Sequence, residues 1–280
     1  MNQPNRIRRN SCLLLSACLG ALVIGAPVLA ADRPVDPALR AAVESSTRSP
    51  EDKARDKYRH PLQTLTFFGI RSNMTVVELW PFGGWYTEIL APYLRAHGLL
   101  YEAAMDPAST DREDMELNSQ LKAMFAAHPS LYDKVRLSVL APGKMQVAPD
   151  GTVDMVLTFR NIHNWVWAGM QKDVFAAAFR ALKPGGILGV VEHRNNDPNA
   201  VPAKGQGYVG EQYAIRLIES AGFKLVARSD INRNPKDTKD YPQGVWTLPP
   251  TYAEGNKNRA KYAAIGESDR FTLKFIKPRS

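Results

Sequence analysis

A short segment from Thr75 to Thr87 constrains the fold of this chain more than any other part of its sequence. The apolar, β-branched run at 74–79 predicts a buried strand, and the apolar spacing of 85–97 predicts a helix. Between them, Gly83 and Gly84 let the backbone turn tightly and approach a ligand closely. A strand, a glycine turn and a helix in this order are typical of α/β proteins that bind a ligand where the helix begins.

The alternation of strands and helices continues to the end of the chain, which predicts one doubly wound α/β domain over 31–280. Further strands are predicted at 99–104, 134–140, 153–159, 187–192, 223–228 and 270–276, and helices at 115–127, 171–182 and 208–221. The predicted parts of the domain are N-terminal helices that act as a brace (31–72), a sheet core (73–229), a long loop (230–269) and a closing strand (270–277). Loops as long as the last one are functional or disordered in most compact domains.

The first thirty residues have the pattern of a secretory signal peptide. Arg6, Arg8 and Arg9 precede a nearly uncharged stretch that ends in small residues at the −3 and −1 positions before Ala31. We therefore expect cleavage after Ala30 and export, which in a bacterium means the periplasm. The alternatives are a retained membrane anchor and lipidation at Cys18, for which the preceding apolar run is short.

Composition excludes several functional classes. Cys12 and Cys18 both lie in the signal, so the mature domain is expected to have no disulfide, thiolate metal site or cysteine nucleophile. The formal charge of +8 includes the signal arginines, and the remaining excess is spread along the chain without a dense basic block. We therefore expect no nucleic-acid partner and, after cleavage, no stable membrane span.

The turn after the first strand resembles motif I of class I S-adenosylmethionine-dependent methyltransferases, in which an acid and an apolar residue precede glycines at alternate positions. Glu78, Gly84 and Thr87 match this pattern, whereas Trp80 and Phe82 stand where two glycines are usual. The resemblance implies a Rossmann-like fold with a seven-stranded sheet in the order 3-2-1-4-5-7-6 and an antiparallel last strand. It also implies S-adenosylmethionine as the cofactor and a small molecule or an exposed group as the methyl acceptor.

Other segments extend the resemblance over most of the mature chain and in the expected order. Residues 153–157 resemble the family's fourth strand, 182–186 the turn before its fifth strand, and 221–223 the start of its closing hairpin. More narrowly, residues 80–93, 159–165 and 266–271 resemble an uncharacterised group of bacterial methyltransferases that are predicted to be exported.

The resemblance, together with the position of each residue after a predicted strand, gives two sets of candidate site residues. The cofactor set is Glu78, Trp80, Phe82, Gly83, Gly84, Trp85, Asp106 and Arg160, and the catalytic set is Asn161, His163 and His193. His193 is a candidate general base because imidazole titrates near neutrality.

Each candidate also has a structural alternative. Glu78 can bind the backbone of the turn, the tryptophans can belong to the core, and Asn161 and His163 can form a satisfied polar network. No metal site is predicted, because His163, Glu192 and His193 are expected at one sheet edge but are not at a recognised ligand spacing.

Two functions of different classes follow from these residues. The first is methyl transfer from S-adenosylmethionine, with the cofactor set holding the donor and the catalytic set orienting or deprotonating the acceptor. The second is a non-catalytic binding module on a degenerate methyltransferase scaffold, indicated by the bulky residues in the turn and by export away from the cytoplasmic cofactor. A nicotinamide-dependent oxidoreductase fits the glycine pattern less well.

Overall fold

The computed structural model describes residue 1 and residues 35–279, and in that part of the chain seven strands form one mixed sheet. The strands are β1 (Thr75–Leu79), β2 (Leu99–Ala104), β3 (Arg136–Val139), β4 (Val153–Phe159), β5 (Leu182–His193), β6 (Lys224–Ser229) and β7 (Arg270–Ile276). Their order is β3-β2-β1-β4-β5-β7-β6. Strand β7 is antiparallel to both of its neighbours, while the other neighbouring pairs are parallel. The predicted fold class and strand order are confirmed.

Helices precede the sheet and connect its strands. They are α1 (Pro37–Val43), α2 (Pro50–Lys53), α3 (Asp56–Arg59), α4 (Pro61–Phe68), α5 (Thr87–Leu94), α6 (Arg112–Ala127), α7 (Pro129–Tyr132), α8 (Ile162–Trp167), α9 (Gln171–Ala181), α10 (Glu211–Glu219) and α11 (Arg259–Ile265), with one 3-10 helix at Gly244–Thr247. Helices α1 to α4 are the N-terminal brace.

Both faces of the sheet are covered by apolar residues, as expected for central parallel strands. Because side chains alternate along a strand, β1 contributes to both layers. Val77 and Leu79 pack in the cluster that contains the buried residues of α9 and α10, whereas Val76 packs in the cluster formed with α1, α4 and α5. The carboxyl ends of the parallel strands therefore open at one edge, between two helical layers.

Local signals in the sequence explain where several helices begin and end. The Ser49 side chain accepts a hydrogen bond from the Asp52 N–H, and Pro50 occupies the first position of α2, as predicted from these residues. Helix α4 ends at Gly69, whose φ of 83° is left-handed and is favourable only for glycine.

Three predicted elements differ in the structure. Strand β5 begins at Leu182 rather than at 187, because Gly185 donates to the Lys277 carbonyl and so keeps the expected turn paired. Helix α6 begins at Arg112 rather than at 115, and Met115 is 57% exposed. The 230–269 stretch is not a plain loop, since it contains the 3-10 helix and α11.

The predicted signal peptide and Cys18 lie outside the described residues, so export stays a prediction. In residues 35–279, no helix combines the length and the hydropathy that crossing a bilayer requires.

Candidate functional site

The turn between β1 and α5 has an unusual backbone. Trp80, Phe82 and Gly84 have φ angles of 48°, 52° and 83°, so three alternate residues are left-handed. Glycine adopts this conformation readily, whereas a bulky L-residue does so at a steric cost. The turn thus keeps the backbone shape of alternating glycines, although two of its three left-handed residues carry large aromatic side chains.

Helix α6 covers one side of this turn. A Cβ atom added to Gly84 would lie 2.6 Å from the Met124 side chain, and one added to Gly83 would lie 3.2 Å from the Gln120 side chain. Any residue larger than glycine at Gly84 would therefore displace the Met124 side chain and would also be strained by the φ of 83°. The sequence predicts that Gly83 and Gly84 allow a ligand to approach the backbone closely. In the structure, side chains of α6 make the close approach.

Two cavities flank the turn. The first, of about 270 Å³, is mainly apolar and lies between α6 and the ends of β2 and β3. Its lining includes Met105, Leu121, Phe125 and Val139. The shape and apolar lining suit a flat aromatic ring.

The second cavity, of about 280 Å³, is called here the arginine cavity and lies at the ends of β4 and β5 and the start of β7. Its charged and polar lining comprises Arg55, Arg59, Glu113, Arg160, His163, Asn164, His193, Glu267, Ser268 and Arg270, and its other side is formed by Phe82 and the segment around Trp246. Of the predicted site residues, this cavity brings together Phe82, Arg160, His163 and His193.

A narrow gap lies between the two cavities. It measures only about 10 Å³ and is lined by Trp80 and Phe82 together with residues of β2 and α6. Phe82 also lines the arginine cavity, and Leu121 also lines the apolar one, so the three spaces are neighbours. The Trp80 indole N–H donates to the Leu140 carbonyl at 2.8 Å, which fixes one wall of the gap.

The two cavities have room for the two ends of a cofactor as long as S-adenosylmethionine, but the gap between them has no room for its middle. The apolar cavity suits an adenine ring, and the Phe82 side of the arginine cavity would take the amino-acid end. The gap under Phe82 is too small for the atoms that join them. In the arrangement described here the whole cofactor therefore does not fit unless the Phe82 side chain moves.

Glu78 lies beneath the turn and is 3% exposed. It accepts a hydrogen bond from the Thr87 hydroxyl at 2.9 Å and pairs in register with the buried Glu102 on β2. Burial raises the pKa of Glu78 to about 7, and burial together with the neighbouring Glu78 raises that of Glu102 well above its ordinary value. These contacts support the structural alternative for Glu78, which ties β1 to the start of α5.

Trp85 and Asp106, both assigned to the cofactor set, make other contacts in the structure. The Trp85 indole faces the N-terminal brace, where the guanidinium groups of Arg48 and Arg59 lie 5.0 and 4.6 Å from its ring centre. Asp106 accepts from the Lys144 ammonium at 2.6 Å. Cofactor contacts by these two residues stay predictions, and for Asp106 they require the Lys144 pair to open.

Asn161 is 1% exposed and connects β4 to the turn. Its amide donates to the carbonyl of Leu79 at 2.8 Å, to that of Trp80 at 3.3 Å, and to the Thr158 hydroxyl at 3.2 Å. The amide is thus used by the protein itself, and this favours a role in holding the turn over direct contact with an acceptor.

His163 and Glu192 form a buried pair beside the arginine cavity. His163 Nδ1 lies 3.3 Å from Glu192 Oε1, and the two carboxylate oxygens also accept from the N–H groups of Ile162 and His193 at 2.7 Å. Because a carboxylate oxygen accepts hydrogen bonds, this contact favours the tautomer in which Nδ1 of His163 carries the hydrogen. Nε2 is then left as an acceptor, which is the form that a general base needs.

His193 has a different environment. Its Nδ1 lies 2.5 Å from the Ser268 hydroxyl, and burial, reinforced by the charges of His163 and Arg270, lowers its pKa well below the ordinary value. A lowered pKa means a weaker affinity for a proton, and Nδ1 is already taken up by Ser268, so His193 is a poor candidate for the general base.

His163, Glu192 and His193 bring one potential ligand atom each within 4.8 Å of one another. This is a possible metal cluster that the sequence spacing did not predict. Both oxygens of Glu192 already accept backbone hydrogen bonds, and Arg160 and Arg270 face the same cavity. The positive surroundings oppose a cation, so these contacts favour a hydrogen-bonded histidine site over a metal centre.

Several residues of the arginine cavity were not assigned from the sequence. Arg59 comes from the end of α3, whereas Glu267, Ser268 and Arg270 come from the segment before β7 and its first residue. The 266–271 segment had been noted only as a resemblance. The signal available was its run of polar residues directly before a buried strand, where they are costly to bury without a dedicated partner.

Comparison with known proteins agrees with this architecture. A methyltransferase dependent on S-adenosylmethionine from Aquifex aeolicus superposes with a TM-score of 0.54 at 16% identity, over 85% of this chain and 97% of that one. One from Methanosarcina mazei gives 0.51 at 13% identity, over 77% and 98%. The chain has the class I methyltransferase fold.

The same fold also serves other chemistry. The [4+2]-cyclase SpnF superposes with a TM-score of 0.54 at 16% identity, over 85% of this chain and 86% of that one. No protein-family model and no curated protein sequence matches the chain. At these identities the methyltransferase fold is established and the reaction has to be argued from the site.

Proposed function

We propose that this protein is an S-adenosylmethionine-dependent methyltransferase whose acceptor binds in the arginine cavity. The observation that carries the proposal is the pair of ligand-sized cavities that flank a turn with the backbone of alternating glycines. One cavity has the apolar character that adenine requires, and the other holds a buried imidazole beside room for a second reactant. Export, predicted from the first thirty residues, would place the acceptor outside the cytoplasm.

Cofactor binding in this proposal requires the gap to open. Phe82 is partly exposed and its ring lies 6.1 Å from that of Trp80, so only modest packing is lost when it rotates. When bound, S-adenosylmethionine supplies the methyl group, and residues of the turn, among them Gly83, would lie beside its amino-acid end.

His163 is the candidate general base of the acceptor site. Methyl transfer to a hydroxyl or protonated amine releases a proton, and the unprotonated Nε2 of His163 can accept it. The Glu192 carboxylate fixes the ring through Nδ1 and stabilises the imidazolium that forms. His193 lies with its ring centre 5.5 Å from that of His163 and has its Nδ1 bound to Ser268, so it orients rather than deprotonates.

Calorimetric titration of the full chain with S-adenosylmethionine tests the proposal, with Phe82→Gly as the informative variant. Glycine accepts the φ of 52° and removes the side chain that closes the gap, so we expect its affinity to rise about tenfold, equivalent to about 1.4 kcal/mol. Asn258→Gly is the matched control, because Asn258 has a φ of 54° at the start of α11, away from the cavities. It should leave the affinity unchanged.

The result that would overturn the proposal is absence of binding by both the natural chain and Phe82→Gly, with both proteins folded by circular dichroism. Where binding is found, release of S-adenosylhomocysteine in the presence of candidate acceptors then tests turnover.

A second function is favoured by one observation, the closed gap itself. The Trp80 indole, held by its hydrogen bond to the Leu140 carbonyl, and the Phe82 side chain narrow this gap to about 10 Å³. In this alternative the protein binds a ligand in the arginine cavity without methyl transfer. It predicts ligand binding by the natural chain together with no detectable affinity for S-adenosylmethionine.

A further inference from the structure

The arginine cavity has more positive charge than its own acids neutralise. Arg55, Arg59, Arg160 and Arg270 all line it, and the only carboxylate buried among them, in residues 35–279, is Glu267. Glu267 accepts from Arg55 at 2.8 Å and from Arg59 at 3.0 Å, and it also binds Arg270. One carboxylate is therefore shared by three guanidinium groups, and the fourth, that of Arg160, forms no ion pair with residues 35–279.

Several guanidinium donors in this cavity are unused. The Arg160 side chain makes no hydrogen bond or ion pair with residues 35–279. Arg59 and Arg270 are 4% and 2% exposed, yet Nη1 of Arg59 and Nε of Arg270 lack a partner in the described chain. A buried unpaired donor of a charged group is costly, so such donors indicate a site that a ligand completes.

The backbone and the electrostatics of Arg160 support the same conclusion. Its φ is 65°, a strained conformation for a long side chain, and its N–H is fixed by the Val191 carbonyl at 2.7 Å. Burial, and then the charge of Arg270, lowers the pKa of Arg160 to about 10. The arginines repel one another in the unliganded cavity, and an anion would relieve that repulsion.

We propose that the arginine cavity binds an oxyanion, a carboxylate or phosphate group of its ligand, between Arg160, Arg59 and Arg270. Guanidinium groups bind both kinds of group through paired N–H donors. The cavity of about 280 Å³ leaves room for the body of a small molecule beside the anion. The anion site rests on the cavity alone, and the assignment of its ligand as the methyl acceptor rests on the proposed function.

The position of the donors separates this site from the amino-acid end of the cofactor. Arg270 begins β7, which is three strands from β1 in the sheet, and it lies on the side of His163 and His193. The turn follows β1, on the side of Phe82. The anion therefore belongs to a second molecule that enters beside the histidines.

The test is calorimetric titration of the full chain with inorganic phosphate, and separately with acetate, at low ionic strength and without S-adenosylmethionine. We expect binding of at least one anion by the natural protein and a tenfold or greater loss in Arg160→Gln. Arg136→Gln removes the charge of an exposed arginine on β3 and should bind as the natural chain does. Equal affinity in all three proteins, or binding of neither anion up to 10 mM (roughly the range of weak single-group contacts), overturns the proposal.

A stability readout separates ligand binding from a structural role. Because Arg160 has no ion pair to lose, Arg160→Gln should keep or raise the melting temperature while it loses the anion. A fall in melting temperature with unchanged anion affinity would assign Arg160 a structural role and overturn the proposal.

A competition experiment identifies the source of the anion. If phosphate displaces S-adenosylhomocysteine but not methylthioadenosine, which lacks a carboxylate, the site belongs to the cofactor and the acceptor assignment is wrong. If phosphate binds together with either nucleoside, the anion site belongs to the acceptor. If phosphate binds but neither nucleoside does, the proposal of an anion site stands and only the methyltransferase function is refuted.

Discussion

Three side-chain-bearing residues with left-handed backbone lie at the carboxyl edge of the sheet, beside the candidate site. Trp80, Phe82 and Arg160 all have positive φ, and the first two line the gap while Phe82 and Arg160 line the arginine cavity. Such conformations cost on the order of 1 kcal/mol each for a side-chain-bearing residue and persist where the surroundings impose them. The positive φ angles direct these three side chains differently from side chains on residues with the usual negative φ.

At the same scale, His163 should determine turnover. His163→Asn keeps an amide donor close to the position of Nδ1, and so keeps the hydrogen bond to Glu192, but it deletes Nε2. We expect turnover to fall roughly 10²- to 10⁴-fold, the usual contribution of a general base, with the affinity for S-adenosylmethionine unchanged. The measurement is release of S-adenosylhomocysteine against pH.

The control for this variant is His97→Asn, which changes an exposed histidine after α5. It should behave as the natural protein at every pH. If His163→Asn retains full turnover, the imidazole is structural and the proton leaves through another group.

At the scale of elements, β1 and β2 place two carboxyl groups side by side in the core. Glu78 and Glu102 are register partners, both are buried, and neither oxygen of Glu102 has a hydrogen-bond partner among residues 35–279. Two adjacent carboxylates cannot both ionise there at low cost, so the pair retains a proton in the folded state.

This pair predicts a pH-dependent loss of stability. Burial raises both pKa values above the ordinary 4.5, that of Glu78 to about 7. The stability that the protonated pair contributes is therefore fully present below about pH 4.5 and is lost as the pH rises through 7, because the unfolded chain ionises first. We expect Glu102→Gln to raise the free energy of unfolding at pH 7 by on the order of 2 kcal/mol.

Urea unfolding at pH 4.5 and at pH 7 measures this effect. The difference between variant and natural protein should be larger at the higher pH. Glu51→Gln, an exposed change in α2, should stay within about 0.5 kcal/mol at both. A gain for Glu102→Gln that is the same at both pH values would contradict the protonated pair.

The same element scale shows what a sequence can and cannot predict. Strands β1, β2, β4 and β7 are rich in apolar or β-branched residues, and this pattern locates them within one residue. The predicted start of β5 is wrong, because pairing of Gly185 with Lys277 depends on a residue at the far end of the chain. Local patterns thus determine the elements, while long-range pairing determines their ends.

The site was predictable only in part, for the same physical reason. Phe82, Arg160, His163 and His193 follow strands, and a parallel sheet brings such residues to one edge. Arg59 reaches this edge from the N-terminal brace, and no periodicity in its surroundings indicates that it does so. The sequence locates the turn at Phe82. That the Phe82 side chain closes the gap between the two cavities can be seen only in the structure.

At the scale of the whole molecule, Glu267 connects the two ends of the described chain. Its carboxylate binds Arg55 and Arg59 of the N-terminal brace and Arg270 at the start of β7. Burial acts to raise the pKa of Glu267, but the charges of Arg59 and Arg270 outweigh it and hold that pKa well below the ordinary value. The carboxylate is thus ionised, and its contribution to stability is present above about pH 4.5 and lost as the pH falls.

Replacing this carboxylate should lower the stability of the protein and raise its affinity for anions. Glu267→Gln leaves three arginines without their shared counter-charge, and loss of one partner from a buried ion pair costs about 3–5 kcal/mol. Phosphate should restore part of the lost melting temperature, because an anion that binds only the folded chain stabilises it by mass action. The control is Glu44→Gln, which removes one member of an exposed ion pair with Arg40 and should respond to phosphate as the natural protein does. If phosphate raises the melting temperature of Glu267→Gln no more than that of the natural protein, the brace and the closing strand are joined by Glu267 without forming an anion site.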